Sequence, residues 1–459
     1  MQCITHAPRE QRQGFKWRTL FNLSLIPPKK WYGGVRLQDH KSLSNQVPIR
    51  SVSIGRMLLT IPVEQGRSRA APCVKAGEKV FKGQVIATGD SKNLWAHAST
   101  SGTVRGVVSI PVADRDHTSE AILLESDGLD RWGPREQANI PSSLSELAEY
   151  AMRMGLAGLG GAGFPTGLKL GGAGTPDLLL INGAECEPFL TCDDRLMRER
   201  AADVIQAADY LAKLSGVSNT FIGVESNKPE AIRSLRQATA AAGSSVKIRT
   251  LPARYPAGGQ PMLVRALSGR RLRPGQLPAE IGVQVLNVAS LYALGRAVFH
   301  GEPLISRVVT LTGRCKHPGN YEVPLGYPVN LLRKIAEPDS DARDIHVGGP
   351  MMGRKLEEID AVTGKTSSCL IFGANRLWPA KGDESDCIRC NRCVDACPMA
   401  LQPMSLLEAA RSRNQHDLKQ LRLDACIECG ACSQVCPSNL PLRDSFRAIK
   451  KEALICRTG

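Results

Sequence analysis

Eight cysteines near the end of the sequence repeat one metal-ligand pattern. The first copy comprises Cys387, Cys390, Cys393 and Cys397, followed by Pro398. The second, 39 residues further on, comprises Cys426, Cys429, Cys432 and Cys436, followed by Pro437. Two-residue gaps place three thiolates around one tight turn, which suits three corners of a cubane [4Fe–4S] cluster, and the fourth cysteine of this pattern ligates the other cluster. The spacing therefore predicts one cluster on Cys387, Cys390, Cys393 and Cys436, and a second on Cys426, Cys429, Cys432 and Cys397.

The alternative for these cysteines is a pair of tetrahedral zinc sites. Zinc modules usually bring their ligands as two separated pairs, whereas three ligands here share one turn, so clusters are favoured. The remaining cysteines show no ligand spacing and are expected to be buried hydrophobes or plain thiols: Cys3, Cys73, Cys186, Cys192, Cys315, Cys369 and Cys456. Because no secretory h-region opens the sequence, we expect reduced thiols and a cytosolic compartment or the cytosolic face of a membrane.

A glycine-rich segment forms a second site for chemistry. Residues 155–174 contain nine glycines, and Gly158, Gly160 and Gly163 match the pattern G-x-G-x-x-G. The preceding segment has a helical pattern and the best strand follows the loop, which excludes a Rossmann fingerprint at this position. Accessible backbone amides in such a loop can cradle a phosphate or admit a flat ring, and a merely flexible loop is the alternative.

Polar side chains follow the strand at Leu178 to Ile181. Asn182, Glu185 and Glu187 come directly after it. Ligands of α/β sheets bind at the carboxyl ends of the strands, and ribose or ribityl hydroxyls need acceptors of this kind. The sequence therefore predicts a ligand site at this edge.

The 459 residues are enough for about three domains. The expected parts are a basic N-terminal extension (1–50), a small β-sandwich or barrel (51–135), an α/β domain (140–300), a β-rich segment (301–355), a linker (356–380), the cysteine region (381–440) and an amphipathic C-terminal helix (441–459). The basic extension is either an ordinary solvated segment or an arm that binds a membrane or partner. In the helix, Leu442, Phe446, Ile449 and Leu454 share a face that either docks on a partner or packs on the cluster domain.

The formal net charge of +15 favours acidic partners: nucleic acid, anionic lipid, or acidic proteins and phosphorylated cofactors. Aromatic residues make up only 5% of the chain, which is few for a protein that stacks unpaired bases. No run of about 18 apolar residues is present, so any membrane attachment is expected to be peripheral.

Taken together, these motifs resemble the C subunit of the Rnf (Rsx) ion-translocating electron transport complex. The resemblance is carried by the run from Gly155 to Lys169, by Asn182-Gly-Ala-Glu-Cys-Glu-Pro188 and by the two cysteine motifs. It extends to Gly33-Gly-Val35, Lys41 to Gln46, Tyr255-Pro-Ala-Gly-Gly259, Pro318 to Pro324 and Gly348 to Gly353. The central domain also resembles the FMN and NADH subunit of respiratory complex I.

The resemblance implies a noncovalently bound FMN and NAD(H) as substrate. The implied binding residues are Gly158, Gly160, Gly161, Gly163, Phe164, Lys169, Asn182, Glu185, Glu187, Tyr255, Gly258, Gly259 and Asn287, with Lys169 and Glu185 catalytic. Phe164 would stack on the nicotinamide, and Tyr255 would close the site from the other side. Gln260 and Pro261 stand where we associate a glutamate and a lysine with the family.

The resemblance also implies the fold: a multidomain α/β protein with a biotinyl/lipoyl-like β-sandwich, a flavin-binding α/β domain, a small β-grasp module and an α-helical ferredoxin-like domain with two [4Fe–4S] clusters. The expected function is that of a peripheral electron-entry or exit subunit at the cytoplasmic face of the bacterial inner membrane. Its expected partners are the other subunits, a ferredoxin-type carrier reached through a neighbouring subunit, and the membrane surface. The alternative is a nucleic-acid-binding protein with structural clusters.

Overall fold

The structure is a computed structural model that describes residues 33–65, 68–135, 140–172, 174–378 and 382–458. The basic arm before residue 33, which was expected to contact a membrane or to be solvated, lies outside the described residues. Within the described part, no helix combines the length and the apolar character needed to cross a bilayer.

The first domain is built from two small sheets and one two-stranded ribbon. The first strand of the described chain, β1 (Arg50–Ser51), instead joins the sheet of the third domain. The strands of the first domain are β2 (Leu58–Pro62), β3 (Glu64–Gln65), β4 (Ser68–Arg69), β5 (Ala71–Pro72), β6 (Lys79–Val80), β7 (Val85–Thr88), β8 (Ala96–His97), β9 (Gly102–Pro111) and β10 (Thr118–Ser126), with β3 and β4 forming the ribbon. One sheet has the order β2-β10-β9-β6 and the other β5-β7-β8. Ile61, Ile86 and Ile122 from the two sheets belong to one buried core, which gives the expected sandwich.

The second domain is a parallel α/β sheet. Its elements are α1 (Leu144–Arg153), α2 (Thr166–Gly171), β11 (Leu178–Gly183), α3 (Cys192–Glu199), α4 (Ala201–Ser215), β12 (Asn219–Glu225), α5 (Pro229–Ala241), β13 (Lys247–Leu251), α6 (Gln260–Ser268), β14 (Val283–Asn287) and α7 (Val288–His300). The strand order is β13-β12-β11-β14, and every pair is parallel.

Both faces of this sheet are covered, as the apolar run in β11 predicts. Leu179 and Ile181 lie in the core formed with α1, α4, α5 and α7. Leu178 and Leu180 point to the opposite face and pack with residues of α6. The strand is therefore held between helices, which leaves its carboxyl end as the accessible edge.

The third domain is the β-grasp module. Its elements are β15 (Ser306–Gly313), β16 (Gly319–Pro324), α8 (Val329–Ala336), β17 (Ile345–Val347), β18 (Arg354–Lys355) and β19 (Cys369–Phe372), followed by the short helix α9 (Ala374–Leu377). The sheet order is β1-β16-β15-β19-β17-β18, in which β19 runs parallel to β15 and antiparallel to β17.

The segment 356–380, which was expected to be a linker, contributes a central strand to this sheet. All four residues of β19 are buried. Four apolar residues are too few to show a period, and the polar residues before them resemble a linker. The boundary expected at residue 355 therefore divides the β-grasp sheet, and the module continues through β19.

The last domain is helical and begins after residues 379–381, which lie outside the described part. Its helices are α10 (Arg392–Ala396), α11 (Pro403–Arg411), α12 (Gln415–Gln420), α13 (Ala431–Val435) and α14 (Leu442–Thr458). The 39-residue repeat of the cysteines is also a repeat of the backbone. Left-handed φ angles occur at Arg389 and Glu428, at Asn391 and Gly430, and at Ala400 and Asn439. Each copy thus folds into the same tight turn followed by a short helix.

Helix α14 packs its apolar face on this domain. Leu442, Phe446 and Ile449 are buried in the same core as Leu406 and Leu407 of α11. The helix was expected either to dock on a partner or to pack on the cluster domain, and these three residues pack on the cluster domain. The side chain of Leu454 lies outside the described set.

Replacing Phe446 by alanine is expected to destabilise the cluster domain by about 3 kcal/mol, because deleting a fully buried aromatic ring leaves a cavity. The measurement is chemical denaturation followed by the visible absorbance of the clusters. Leu277→Ala is the control, since that side chain is 62% exposed. Equal midpoints for the two variants would contradict the packing of α14.

Candidate functional site

The central crevice lies where two strands of the parallel sheet end side by side. Asn182 is the penultimate residue of β11 and Asn287 is the last residue of β14, and the two are register partners. The chain winds from β11 to β12 and β13 on one side and adds β14 on the other. This reversal of strand order is the point at which doubly wound sheets bind ligands.

The glycine loop lies against this edge. Leu159 N–H donates to Ser290 Oγ at 2.8 Å, which fixes the loop on the first turn of α7. A Cβ at Gly160 would stand 3.2 Å from Asn287 Cβ, so a side chain there would crowd Asn287. Gly161 has φ +109° and open space around it, and Gly163 has φ +62°. The loop therefore presents exposed backbone beside the crevice.

Other predicted residues border the same crevice. The Asn182 side chain donates to Gly258 O at 2.9 Å and accepts from Ala184 N–H at 3.1 Å. Phe164, at the end of the glycine loop, is 52% exposed, so its ring is free to stack. Lys169 lies on α2, and burial lowers the pKa of its ammonium.

Glu185 has a different environment from the one expected of a catalytic group. Its Oε1 accepts from Asp193 N–H at 2.8 Å and its Oε2 from Asp194 N–H at 3.4 Å, at the first turn of α3. Lys41 Nζ stands 4.0 Å from Oε2. The carboxylate is therefore engaged by a helix N-terminus and one ammonium, which suits a positioning role.

Asp193 is a residue that the sequence reasoning missed. Its Oδ2 accepts from Asn287 Nδ2 at 2.7 Å, while Asn287 Oδ1 accepts from Ala289 and Ser290 N–H and caps α7. Burial, together with the charge of Glu185, raises the pKa of Asp193 to about 7. The paired acids at the start of a helix were the available signal, but only the fold brings them to Asn287.

Glu187 faces away from the glycine loop, toward the later domains. Its Oε2 accepts from Met351 N–H at 3.1 Å, and its Oε1 has no hydrogen-bond partner among the described residues. Burial raises the pKa of this carboxyl to about 7. A Cβ at Gly349 would stand 2.1 Å from Oε2, so the glycines of the loop 348–353 allow this contact.

Tyr255 and its glycines join the crevice to the cluster domain. The Tyr255 ring is buried, not open for stacking, and its hydroxyl donates to Cys429 O at 2.7 Å. Gly258 lies against Ala184 O, and a Cβ at Gly259 would stand 3.5 Å from Ile427 Cδ1. Gln260 and Pro261 form the first turn of α6. The side of the crevice formed by Tyr255, Gly258 and Gly259 thus also contacts the turn that carries Cys426, Cys429 and Cys432.

The second predicted ligand set surrounds one pocket. Cys426, Cys429, Cys432 and Cys397 all line one small pocket, together with apolar side chains such as Leu406 and Phe446. Four thiols around one apolar cavity have the donor set of a [4Fe–4S] cluster, and the ligand from the other motif is the one that the spacing predicts. The residues therefore fit the group.

The first predicted set is more open to solvent. The pKa of Cys393 is raised by burial and by the neighbouring thiols of Cys436 and Cys387, which places these three together. Cys387 and Cys390 are exposed. Arg389 N–H approaches Cys387 Sγ at 3.4 Å, as Glu428 N–H approaches Cys426 Sγ, so both turns point backbone donors at their first sulfur.

The fit to a flavin nucleotide rests on the glycine loop. Exposed backbone at Gly160 and Gly161, with space that a cofactor can fill, lies next to the Asn287 side chain; Asn182 is the register partner of Asn287, and Lys169 lies on the helix that follows the loop. Backbone donors, amides and a cation are the groups that recognise a phosphate, a ribityl chain and a ring. The residues present fit such a ligand.

Three family models match the chain, and together they follow its domains. The Nuo51 FMN-binding domain matches residues 152–296, the RnfC barrel sandwich hybrid domain matches residues 29–129, and the 4Fe-4S dicluster domain matches residues 386–440. The predicted fold classes, the FMN and the iron–sulfur clusters are confirmed by these matches, and the zinc alternative is set aside.

Curated relatives align with about nine tenths of this chain. The C subunit of the ion-translocating oxidoreductase complex of Pasteurella multocida is 42% identical over 91% of this chain and 51% of its own length. The corresponding protein of Pectobacterium atrosepticum is 40% identical over 92% of this chain and 61% of its own, and that of Haemophilus influenzae is 40% identical over 91% and 65%. The chain thus spans about half to two thirds of the length of these relatives.

A solved structure of an NAD+-reducing [NiFe]-hydrogenase in the air-oxidized state also aligns, at 19% identity and a TM-score of 0.47, over 69% of this chain and 64% of that one. Over about nine tenths of its length, the chain is similar to C subunits of ion-translocating oxidoreductase complexes, and its first domain matches the RnfC barrel sandwich hybrid domain.

Proposed function

We propose that this chain is a peripheral electron-entry or exit subunit of an Rnf-type complex, in which electrons pass between NAD(H), a bound FMN and two [4Fe–4S] clusters. Bound FMN supplies the chemistry that exchanges a hydride, two electrons together, for the single electrons that a cubane cluster takes. The observation that carries the proposal is the hydrogen bond from Tyr255 to Cys429 O, because it joins the flavin crevice to a cluster-binding turn.

Each group of residues in the crevice would bind a different part of the flavin or the nicotinamide. The glycine loop from Gly158 to Phe164 offers backbone to the flavin, and Asn182 and Asn287 offer amides at the strand ends. Lys169 places a cation near the ring, where it offsets negative charge gained on reduction. The exposed face of Phe164 is the surface for the nicotinamide, and Glu185 acts as a positioning residue through α3.

The order of the clusters follows from the same contact. Ile427 and Cys429 of the second motif pack on Tyr255 and Gly259, whereas Cys387 and Cys390 of the first motif are exposed. Electrons that enter at the crevice would therefore reach the Cys397/Cys426/Cys429/Cys432 cluster first. The other cluster is then the exchange point with a neighbouring subunit.

We further propose that the subunit sits at the cytoplasmic face of the bacterial inner membrane. Its partners would be the other subunits of the complex, which lead to a ferredoxin-type carrier, and the membrane surface. The comparisons with known proteins give the nucleic-acid alternative no support, and some basic side chains are paired with acids of the same chain, as Arg198 is with Asp194 and Glu230.

The full chain, purified without oxygen, is expected to carry FMN together with iron and acid-labile sulfide for two clusters. Adding NADH should bleach the yellow flavin absorbance, because hydride transfer removes the oxidised chromophore. A flavin-loaded chain whose absorbance NADH leaves unchanged, while dithionite bleaches it, would contradict the proposed substrate.

A further inference from the structure

A large open cavity adjoins the crevice from the side of the sheet that carries α3, α4 and α7. It has a volume of about 490 Å³ and is bounded by three domains. Lys82 and Trp132 line it from the first domain, Asp193 and Tyr292 from the second, and Arg307 from the β-grasp module. A space of this size and polarity admits water, so acids on its wall exchange protons with solvent.

Asp193 stands at the inner end of this cavity and touches the crevice at the same time. Its carboxylate holds Asn287 Nδ2 at 2.7 Å. With its own Oδ1 occupied by the first turn of α7, Asn287 has its side chain fixed at both ends. The fixed side chain lies where a Cβ on Gly160 would contact it.

Charged groups from several elements face Asp193. Glu185, from the loop after β11, repels its negative charge, and Cys192 precedes it on α3. Arg307 of β15 and Lys228, just before α5, attract that charge. Arg307 is 5% exposed, and its guanidinium donates to the carbonyls of Val308 and Lys365. Asp193 is thus exposed to the charges of two cations and one acid, and it borders the open cavity.

We propose that Asp193 is a positioning residue for FMN: its carboxylate orients Asn287 against the glycine loop, and protonation from the adjoining cavity weakens this support. The inference rests on the FMN site of the proposed function. A charge-assisted hydrogen bond is about twice as strong as a neutral one, so the ionised form holds Asn287 more firmly. Because burial and Glu185 raise the pKa of Asp193 to about 7, the change falls near neutral pH.

The test is the affinity of the full chain, freed of flavin, for FMN, measured by quenching of flavin fluorescence. At about pH 8, Asp193→Asn should bind FMN about tenfold more weakly than the wild-type chain, because the amide accepts only a neutral hydrogen bond. At about pH 6, the two should agree within about twofold, because wild-type Asp193 is then protonated. The phosphate of FMN titrates equally in both and cancels from the ratio.

Asp203→Asn is the matched control, since Asp203 lines the same cavity on α4, whereas the Asn287 side chain bonds to Asp193, Ala289 and Ser290 among the described residues. It should follow the wild-type chain at both pH values. A ratio of wild-type to Asp193→Asn affinity that does not change with pH, or equal affinities at about pH 8, would overturn the inference while leaving the FMN site intact.

If the wild-type chain binds no FMN at either pH, the proposed function fails and the inference fails with it. If Asp193→Asn loses its clusters, the test is the affinity of the wild-type chain for riboflavin at the two pH values. Riboflavin is used because, unlike FMN, it has no phosphate that titrates in this range. Its affinity should then fall several-fold from about pH 8 to about pH 6, and a flat profile would overturn the inference.

Discussion

Replacing Gly161 by valine is expected to abolish FMN binding and to leave both clusters in place. Gly161 has φ +109°, which a β-branched residue resists, and the space around its absent Cβ is the space proposed for the cofactor. The dissociation constant for FMN should rise by about a hundredfold or more. Flavin fluorescence on release and iron analysis of the same sample measure the two outcomes.

Gly243→Val separates the loss of the site from backbone strain. Gly243 also has a positive φ, +59°, and no heavy atom within 4 Å of an added Cβ, but it follows α5, away from the glycine loop. This variant should keep its FMN and its bleaching by NADH. Full flavin content in Gly161→Val would show that the loop is not the cradle, and flavin loss in both variants would point to strain alone.

The spacing of the cysteines carried more information than any other part of the sequence. The spacing within each motif, whose fourth cysteine ligates the other cluster, predicted crossed ligand sets, and the structure places Cys397 with Cys426, Cys429 and Cys432 around one pocket. Local spacing suffices here because three ligands of each set share one turn, whose left-handed residues recur at the same offset.

Positions that depend on several domains could not be predicted in the same way. The strand β19 was predicted to be part of a linker, because a run of four apolar residues is too short to show a strand period. It becomes a strand by pairing with β15 and β17 on either side. Tyr255 was expected to close the nucleotide site, and the sequence did not indicate that its hydroxyl donates to Cys429 O, 174 positions away. Asp193 was missed because its partner, Asn287, lies at the end of a different strand.

Loss of one cluster is expected to affect electron transfer from NADH differently from loss of the other. Cys429→Ala and Cys390→Ala should each lose about half of the iron and acid-labile sulfide and keep FMN, because each residue ligates one cluster and the glycine loop lies in another domain. In Cys390→Ala, NADH should still reduce the remaining cluster, which is the one that contacts Tyr255. In Cys429→Ala, dithionite should reduce the remaining cluster, whereas NADH should reduce the flavin but not that cluster.

Electron paramagnetic resonance after each reductant distinguishes these cases, and the two variants control for each other because each retains one cluster. The physical reason for the asymmetry is distance: Ile427 and Cys429 pack on the wall of the crevice, while Cys387 and Cys390 face solvent. Rapid reduction by NADH of the cluster left in Cys429→Ala, with none in Cys390→Ala, would reverse the proposed order. Iron at the wild-type level in either variant would refute the ligand sets themselves.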